Sequence, residues 1–368
     1  MENIDYKSRP TKAVINTKNI LNNLSVVKSL IGNRKVMAIL KADAYGHGLT
    51  KTAQLLQHKV DSIGVAYIEE AIILRRNKIK IPILVLGPVH KKQIKEYLNN
   101  DIDITGASAE KLIQVSQIAK KLGKVAHVHL KIDTGMGRIG VQYDRVERFF
   151  DEIFKLENID VVGVYTHFSC ADSDREYTLL QYERFEKVLK TLSEYIDIAK
   201  LNVHIANSSF TSNFNNLDLK DTVRIGLMLY GYSPNKNIQK LLKPAMTLKT
   251  EVSYFKVLEK GKYIGYGKTY KLNRQSRIVT LPIGYADGYS TEFSNKGKVY
   301  INGKTYPIVG KVCMDQCMVN IGNGEAYVGD SVELFGEKIN LWNICENTSK
   351  SPYTILTAIS QRVPRIYI

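Results

Sequence analysis

Cysteine is scarce in this chain, which has only Cys170, Cys313, Cys317 and Cys345 among 368 residues. Their irregular spacing argues against a disulfide framework, and the C-x3-C pair has no matching second pair, which argues against zinc. The first residues contain no apolar signal-peptide segment, and no apolar run approaches the length of a membrane span. We therefore expect a cytoplasmic protein without membrane helices.

Acidic residues are in deficit, with 36 against 52 basic ones, which gives a net charge of +16. The lysines are scattered along the chain in stretches such as KKQIKEY and KVLEKGKY, rather than gathered in one basic tail or helix. This distribution argues against a nucleic-acid partner, although the excess charge favours anionic small-molecule ligands. No metal-binding pattern stands out.

Short continuous apolar runs recur through the first two thirds of the chain and alternate with helical patterns. Such runs are typical of parallel strands that are covered on both faces. Eight βα repeats between residues 10 and 242 predict an α/β fold, an eight-stranded (β/α)8 TIM barrel, with a doubly wound sheet as the rival architecture. The predicted strands cover residues 36–42, 62–67, 82–88, 102–108, 126–133, 161–169, 200–208 and 223–231.

The pattern changes after Leu242, where residues alternate between apolar and polar and glycine turns become frequent. Residues 243–368 therefore predict a mainly antiparallel β domain, and YINGKTY within it predicts a hairpin with an Asn-Gly turn. The stretch TKAVINT, at 11–17, also predicts a strand. This N-terminal strand region, about 1–17, is a candidate to pack with the β domain.

The stretch VMAILKADAYGHG begins as a buried strand and reaches a charge at Lys41. Such a lysine either extends its amine to solvent or is held in a pocket as a nucleophile that forms Schiff bases. Catalytic residues of a TIM barrel lie at the carboxyl ends of its strands. Other polar side chains lie in or directly after the predicted strands, most of them toward the carboxyl ends, namely Lys131, Asp133, Arg138, His167, Asn207, Ser208 and Arg224.

The loops after strands 7 and 8 form the usual phosphate site of this barrel, and here they contain Asn207, Ser208 and Gly226. A hydroxyl and a glycine backbone suit a phosphate, although each is also ordinary turn chemistry. A lysine on one strand with a phosphate site opposite is the layout that pyridoxal 5′-phosphate (PLP) requires. His127 and His129 alternate on one strand without a third ligand, so we assign them structural roles.

Eight motifs resemble, in order, those of bacterial alanine racemases, PLP-dependent enzymes of fold type III. They are AILKADAYGHG, HLKIDTGMGRIG, YTHFSCAD, ANSS, VRIGLMLYG, GYGKTY, LPIGYADGY and GKVCMDQCMV. The resemblance runs from about Arg9 to the C-terminus. It implies a head-to-tail homodimer in which each active site combines one barrel with the β domain of the partner copy.

The resemblance also implies how this chain would bind PLP. Lys41 matches the lysine that binds the cofactor as a Schiff base, and Arg138 matches an arginine near the phenolate oxygen. Lys131 matches a lysine that is often carbamylated, which would orient Arg138. Arg224 matches an arginine at the pyridine nitrogen, and His167 links it to the catalytic tyrosine. The phosphate contacts match Tyr45, Ser208, Gly226 and Leu227.

For catalysis, the resemblance implies interconversion of L-alanine and D-alanine, which supplies D-alanine for peptidoglycan. Two bases act on opposite faces of the substrate's aldimine with PLP, and these match Lys41 and Tyr266. Tyr285 and Met314 match residues at the substrate entrance and carboxylate. Since unperturbed lysine and tyrosine both have pKa values near 10, each base needs a lowered pKa to act near neutrality.

One departure concerns Gln361, where many alanine racemases have a tyrosine. Glutamine is smaller and can both donate and accept hydrogen bonds, so a broader alanine/serine racemase is the alternative. Two other functions stay open at this point. They are a PLP-binding regulatory protein, which would lack the β domain, and a PLP decarboxylase, which would use a partner cysteine such as Cys313.

Overall fold

The computed structural model describes residues 6–368, so the part of the expected N-terminal strand region at 1–5 lies outside the described residues. No helix in this described range is long and apolar enough to cross a membrane. The strands are β1 (Lys12–Ile15), β2 (Lys35–Ile39), β3 (Ser62–Val65), β4 (Ile83–Pro88), β5 (Asp103–Gly106), β6 (Ala126–Asp133), β7 (Val141–Gln142), β8 (Ile159–Tyr165), β9 (Asn202–His204), β10 (Thr222–Ile225), β11 (Met246–Glu251), β12 (Tyr254–Leu258), β13 (Tyr263–Ile264), β14 (Tyr270–Lys271), β15 (Ser276–Leu281), β16 (Lys298–Ile301), β17 (Lys304–Pro307), β18 (Cys317–Gly322), β19 (Ser331–Phe335) and β20 (Arg365–Tyr367).

The helices are α1 (Thr17–Ile31), α2 (Lys41–Tyr45), α3 (Leu49–Leu56), α4 (Ile68–Arg76), α5 (Ile94–Asn99), α6 (Ala109–Leu122), α7 (Val146–Ile153), α8 (Arg175–Leu192), α9 (Ser208–Asn213), α10 (Lys236–Gln239), α11 (Leu341–Glu346) and α12 (Pro352–Ala358). Short 3-10 helices cover Lys91–Gln93, Ile198–Lys200, Leu227–Tyr230, Tyr266–Lys268, Tyr285–Asp287 and Thr291–Phe293. The segment α2 is a left-handed turn rather than a right-handed helix.

The chain divides into two compact units. One consists of Asn22–Ala44 and Leu49–Leu242, and the other contains residues 6–21, Tyr45–Gly48 and Lys243–Ile368. The first unit holds eight parallel strands in the order β10-β2-β3-β4-β5-β6-β8-β9, with β7 attached to β6. A parallel bridge between Asn207 and Arg224 joins the two ends of this order. The predicted TIM barrel is therefore confirmed.

All eight predicted barrel strands are present. The strands predicted at 82–88 and 126–133 end where predicted, whereas the other six end earlier. The first ends at Ile39 rather than at residue 42, and the last ends at Ile225, where a 3-10 helix follows. The apolar runs continue past these strand ends because Leu227–Tyr230 is buried in a helical turn as well. Hydrophobicity alone does not mark where a buried strand stops.

The stretch SAEKLIQVSQIAKKLG has apolar residues at helical spacing, which predicts a helix at 108–123, and the structure has this helix as α6. Its N-cap Ser108 accepts a hydrogen bond from Lys111 N at 3.3 Å, and Gly123 ends it in the left-handed conformation. The stretch DREYTLLQYERFEKVLKTLSEY predicts a long amphipathic helix with Leu179, Tyr182, Phe185 and Leu189 on its apolar stripe. This helix is α8, but Phe185 alone of these four is on the buried face. The buried face comprises Thr178, Gln181, Phe185, Val188 and Leu192.

The shift in α8 has a polar cause. Gln181 Nε2 donates to the carbonyl of His167 at 3.3 Å, and Gln181 Oε1 accepts from Ser169 N at 3.0 Å. Because both ends of this amide are hydrogen-bonded to the loop after β8, its burial carries no penalty for an unsatisfied group. The helix therefore turns this polar residue inward, and Leu180 stays on the exposed side.

The other unit is mainly antiparallel, which confirms the expected β domain. Its six-stranded sheet has the order β17-β16-β19-β11-β1-β20, and smaller sheets contain β12-β15-β18 and β13-β14. The early strand β1 pairs with β11 antiparallel and with β20 parallel. The Asn-Gly hairpin joins β16 to β17, with φ values of 45° at Asn302 and 84° at Gly303.

Candidate active site

Polar side chains gather at the carboxyl ends of the barrel strands, as the sequence predicts. Lys41 follows β2, Lys131 lies near the end of β6, His167 follows β8, and Arg224 lies in β10. In a TIM barrel this end carries the chemistry, because loops there present side chains from several strands to one space. This rim of the barrel is therefore the candidate active site of the first unit.

Lys41 begins an unusual turn. Ala42, Asp43, Ala44 and Tyr45 all have φ between 53° and 55°, which is the left-handed helical region. Each non-glycine residue in a left-handed helical turn costs roughly 1–2 kcal/mol. Such strain persists only when surrounding contacts hold it, and it concentrates at functional sites.

Contacts within the barrel unit hold this turn at both ends. Glu70 Oε1 accepts a hydrogen bond from Ala42 N at 2.7 Å, and Asp43 Oδ1 accepts one from Leu49 N at 2.7 Å. The other oxygen of Glu70 accepts from Ala66 N at 2.8 Å. One carboxylate thus connects the start of the turn, directly after Lys41, to the loop after β3.

The electrostatic surroundings of Lys41 favour its neutral form. Partial burial and the Arg138 guanidinium lower the pKa of Lys41, while Glu70 opposes this effect. A neutral amine is both the nucleophile that forms Schiff bases and a base that accepts a proton. The structure therefore supplies the lowered pKa that a catalytic lysine needs.

Lys131 is the second lysine of this rim, and Asp133 is the carboxylate that opposes the lowering of its pKa. It is buried in β6, and its Nζ lies 4.3 Å from the centre of the Tyr165 ring. Burial, Arg224 and Arg138 lower the pKa of Lys131 well below its ordinary value. This shift favours the neutral amine, which is the form that reacts with CO2.

Arg138 is carried by a tight loop after β6. Asp133 Oδ1 accepts hydrogen bonds from the backbone N–H groups of Gly135, Met136 and Gly137 at 2.9, 2.8 and 3.2 Å. Arg184 from α8 donates to the carbonyl of Thr134 at 3.0 Å. The Arg138 guanidinium is exposed at the rim. Its positive charge lowers the pKa of Lys41, Lys131 and His167.

Arg224 is buried in β10 and donates to several groups of the rim. Its Nη2 donates to the carbonyls of Thr166 at 2.7 Å and Ile205 at 3.0 Å, and its Nη1 lies 3.1 Å from His204 Nδ1. Nη1 also donates to the carbonyl of His204. Burial lowers the pKa of Arg224 to about 10, so the guanidinium stays charged near neutrality.

One N–H group of the Arg224 guanidinium has no hydrogen-bond acceptor within the described residues. Both terminal nitrogens have acceptors, whereas its Nε–H has none within residues 6–368. Arg224 also has no carboxylate partner in this described range. A buried arginine with a spare N–H is suited to a neutral acceptor atom of a bound molecule.

His167 lies beside this guanidinium, with its Nδ1 3.4 Å from Arg224 Nη2. Burial and the cations Arg224, Lys131, Arg138 and Lys41 hold the pKa of His167 well below its usual value. The imidazole is therefore neutral at pH 7. No group of metal ligands occurs among the described residues, so the structure gives His167 no metal partners there.

The last two barrel loops approach each other closely. Gly226 N donates to Ser208 Oγ at 3.2 Å, and Asn207 caps α9 by accepting from Phe210 N at 2.9 Å. Leu227 opens the 3-10 helix that follows Gly226. The residues Asn207, Ser208, Gly226 and Leu227 thus lie together as a compact set of backbone and hydroxyl donors, which suits a phosphate.

In the other unit, Tyr266 projects from the loop between β13 and β14. Its side chain is 70% exposed, and it stands between Gly265 and Gly267, both with positive φ. A Cβ at Gly265 would lie 2.9 Å from Met318 Cε. The two glycines let this loop turn sharply and present the phenol to solvent, where a second molecule can reach it.

Asp287 connects the loops that carry Tyr285, Met314 and Gln361. Its backbone carbonyl accepts from Ser360 N at 3.0 Å, and Tyr285 N and Ala286 N donate to the carbonyls of Cys313 and Met314 at 3.0 Å. Its carboxylate is fully buried. The three predicted residues are exposed and lie on loops that are hydrogen-bonded to one another.

Tyr45 belongs to this second unit by its contacts. It is buried, and its ring centre lies 5.9 Å from that of Tyr353. Burial and Tyr353 raise the pKa of Tyr45, so it stays a phenol that can donate a hydrogen bond. A phenol donor is the form that a phosphate contact requires.

Sequence reasoning missed four residues that organise these sites: Glu70, Tyr165, His204 and Asp287. Tyr165 precedes His167 by two residues, so strand alternation places it beside a predicted residue, and His204 stands two residues before the ANSS motif. The only local sequence indication for Glu70 is that it is an acidic residue at the third position (N3) of α4. Asp287 carries no signal, because its partner Arg9 is 278 residues away.

Comparison with known proteins covers nearly the whole chain. The family description "Alanine racemase, N-terminal domain" matches residues 15–234, and "Alanine racemase, C-terminal domain" matches residues 245–367. An alanine racemase of Clostridium kluyveri is 42% identical, and the alignment covers 98% of this chain and 95% of that protein.

Solved structures agree. An alanine racemase of Clostridium difficile 630 superposes with a TM-score of 0.90 at 38% identity, covering 98% of this chain and 96% of that one. An alanine racemase of Bacillus anthracis, solved with bound L-Ala-P, gives a TM-score of 0.89 at 35% identity, covering 98% and 95%.

Proposed function

The chain belongs to the alanine racemase family, and from that premise we propose that it interconverts L-alanine and D-alanine with PLP as cofactor. The observation that carries this proposal is the pairing, on one rim of the barrel, of Lys41 with a lowered pKa and Arg224 with a spare Nε–H. A lysine of this kind binds an aldehyde, and the arginine suits the ring nitrogen of a pyridine.

The residues present fit the cofactor on chemical grounds. Lys41 would hold its aldehyde carbon, and Arg224 would donate to its ring nitrogen. Ser208, Gly226, Leu227 and Tyr45 would bind the phosphate, with Asn207 shaping the loop, and Arg138 would lie near the phenolate oxygen. PLP, when bound, supplies the electron sink that stabilises the carbanion left at the α-carbon.

Two bases of this chain would then exchange the α-proton. Lys41 Nζ serves one face of the substrate, with the lowered pKa that a base near neutrality requires. Tyr266 Oη serves the opposite face from a second copy of the chain, since its exposed loop presents the phenol to a partner. The active unit is accordingly a homodimer with shared sites.

The remaining residues orient these groups. Arg138 would contact the phenolate oxygen of the cofactor and the substrate. Lys131, once carbamylated, would carry a negative charge and orient Arg138. His167, whose Nδ1 lies 3.4 Å from Arg224 Nη2, would link Arg224 to the catalytic tyrosine. Met314 and Tyr285 would contact the substrate carboxylate and entrance, and Gln361 would lie near the substrate side chain. The D-alanine formed would serve peptidoglycan synthesis.

The test is to follow α-hydrogen exchange and optical inversion of L-alanine and L-serine side by side, with PLP present. Inversion of alanine, with serine below about one per cent of its rate, supports the proposal; that ratio corresponds to roughly 2.7 kcal/mol. Comparable inversion of both substrates supports the broader racemase and directs attention to Gln361. CO2 release without inversion would indicate a decarboxylase, and no reaction would contradict the enzymatic proposal.

A further inference from the structure

A row of polar side chains leads from Arg224 through the barrel interior toward its opposite end. Arg224 Nη1 lies 3.1 Å from His204 Nδ1, and His204 Nε2 lies 2.9 Å from His129 Nδ1. His129 Nε2 lies in turn 3.5 Å from Asp103 Oδ2. The strands β10, β9, β6 and β5 each contribute one residue to this polar row.

The row has a single consistent direction of donation. Because a guanidinium only donates, His204 Nδ1 must accept from Arg224 and its proton must lie on Nε2. That Nε2–H donates to His129 Nδ1, so the proton of His129 lies on Nε2 and points toward Asp103. Burial and Arg224 hold the pKa of His204 well below its usual value, which agrees with a neutral ring.

Packing restricts both imidazoles. The Tyr165 ring stacks on His204 at 4.6 Å and 10°, and Tyr165 Oη lies 2.7 Å from Thr105 Oγ1, which anchors it. A Cβ at Gly163 would lie 2.3 Å from His129 Nδ1, so only glycine leaves room for the ring there. The two histidines are therefore fixed in position rather than free to rotate.

The far end of the row opens into a cavity of about 480 Å³ at the amino ends of the barrel strands, away from the candidate active site. Asp103, His127 and His129 line it. His127 Nδ1 lies 3.8 Å from Asp103 Oδ1, and its side chain is 46% exposed. His127 thus touches the same carboxylate as His129, yet it has no hydrogen bond to His204.

We propose that Asp103 and His129 are positioning residues for Arg224. His129 holds His204 in the Nε2–H tautomer, so that His204 Nδ1 accepts from Arg224 and fixes the guanidinium. Asp103 supplies a carboxylate at the opposite end of the row, so that no carboxylate needs to stand beside Arg224 on the rim. Arg224 thereby keeps a defined orientation with its Nε–H directed at the bound molecule.

The first test needs no activity. Chain labelled with ¹⁵N-histidine, with PLP bound, is studied by long-range ¹H–¹⁵N correlation, which reports the tautomer of each ring. The proposal expects both His204 and His129 as neutral Nε2–H tautomers. A proton on Nδ1 of either ring, or a doubly protonated His129, overturns it. Single His→Gln variants assign the signals.

The second test compares variants of the row and rests on the proposed function. Replacing His129 by leucine removes the acceptor for His204, and we expect kcat for alanine to fall about 10–100-fold with KM little changed. His129→Gln retains a carbonyl acceptor and should recover most of that loss. If His129→Leu does not fold, the tautomers of the unaltered protein and the His129→Gln rate still decide.

Asp103→Asn changes the carboxylate at the end of the polar row, and His127→Gln, which changes a neighbouring residue outside the row, is its matched control. Asp103→Asn should lower kcat severalfold and shift the His129 ¹⁵N signals, whereas His127→Gln should leave kcat within about twofold and the His204 signals unmoved. Equal effects of the two variants, or His129→Gln no better than His129→Leu, would contradict the proposal. If the unaltered protein racemises nothing, the proposed function fails while the tautomers still decide this inference.

Discussion

Arg9 Nη1 lies 2.7 Å from Asp287 Oδ1, and Arg9 Nη2 lies 3.2 Å from Asp287 Oδ2, so two residues that are 278 positions apart in the sequence form a bidentate ion pair. Asp287 is fully buried, and Arg362 Nε lies 3.3 Å from the same carboxylate. This pair ties an N-terminal segment to the loops that carry Tyr285 and Gln361.

Removing one member of this pair should destabilise the protein strongly. Arg9→Ala leaves the buried carboxylate of Asp287 short of its main partner, and we expect a loss of about 3 kcal/mol in the free energy of unfolding. Urea denaturation measures it. The matched control is Arg148→Ala, which breaks an exposed pair with Glu152 and should cost less than about 0.5 kcal/mol. If Arg9→Ala lowers the free energy of unfolding no more than Arg148→Ala does, the buried pair does not stabilise the protein as predicted.

Tyr266→Phe should reduce racemisation without affecting stability, because the phenol is exposed. Losing a general base costs about 10²–10⁴-fold in rate. We expect the loss to be measurable as slower wash-in of solvent deuterium at the α-carbon, and to differ between L-alanine and D-alanine. Tyr263→Phe, on the neighbouring strand and 49% exposed, is the control. If both directions stay as fast as in the unaltered protein, Tyr266 is not a base.

Arg224→Glu should slow racemisation and raise the side reaction that converts alanine to pyruvate. Arginine never accepts a proton from a ring nitrogen, whereas a glutamate there would keep that nitrogen protonated and lengthen the life of the carbanion. Pyruvate formed per racemisation event, read with a coupled dehydrogenase, gives the ratio. A circular dichroism melt establishes that the variant is folded. An unchanged ratio in folded protein would contradict this role.

Lys131 should form a carbamate with CO2. Burial, Arg224 and Arg138 lower its pKa, and only the neutral amine reacts, so the carbamate should be full above the lowered pKa and decline as the pH falls through it. The measurement is ¹³C NMR in ¹³C-bicarbonate. The carbamate signal should vanish in Lys131→Ala and persist in Lys120→Ala, whose lysine is exposed. Persistence in Lys131→Ala would assign the signal elsewhere.

The barrel could be predicted from sequence because its strands are continuous apolar runs, and the hairpin at Asn302–Gly303 because two residues there adopt positive φ readily. The left-handed turn could not. Ala42 and Ala44 have no preference for positive φ, and the turn depends on Glu70, whose contact with Ala42 spans 28 residues of sequence. Local propensity is overridden there by long-range hydrogen bonds.

The residues of the candidate site likewise fall into those that could be predicted from the sequence and those that could not. Lys41 and Arg138 could be predicted because they come at or after the end of apolar runs, and Arg224 because it lies in the last predicted strand ahead of Gly226. The prediction of the buried face of α8 was wrong because Gln181 forms hydrogen bonds with Ser169 and His167, which belong to another segment. Residues whose role depends on partners distant in sequence, such as His129 and Asp287, carry no pattern of their own.

The turn from Ala42 to Tyr45 has a stereochemical consequence. Its φ and ψ values, near +54° and +50° at Ala42, Asp43 and Ala44, are close to the mirror image of an ordinary helical turn. That conformation is strained for L-residues and relaxed for their mirror images. A semisynthetic chain with D-alanine at positions 42 and 44 should therefore hold Lys41 in place with less strain. The backbone directly after Lys41 thus has, over four consecutive L-residues, the handedness that D-residues prefer.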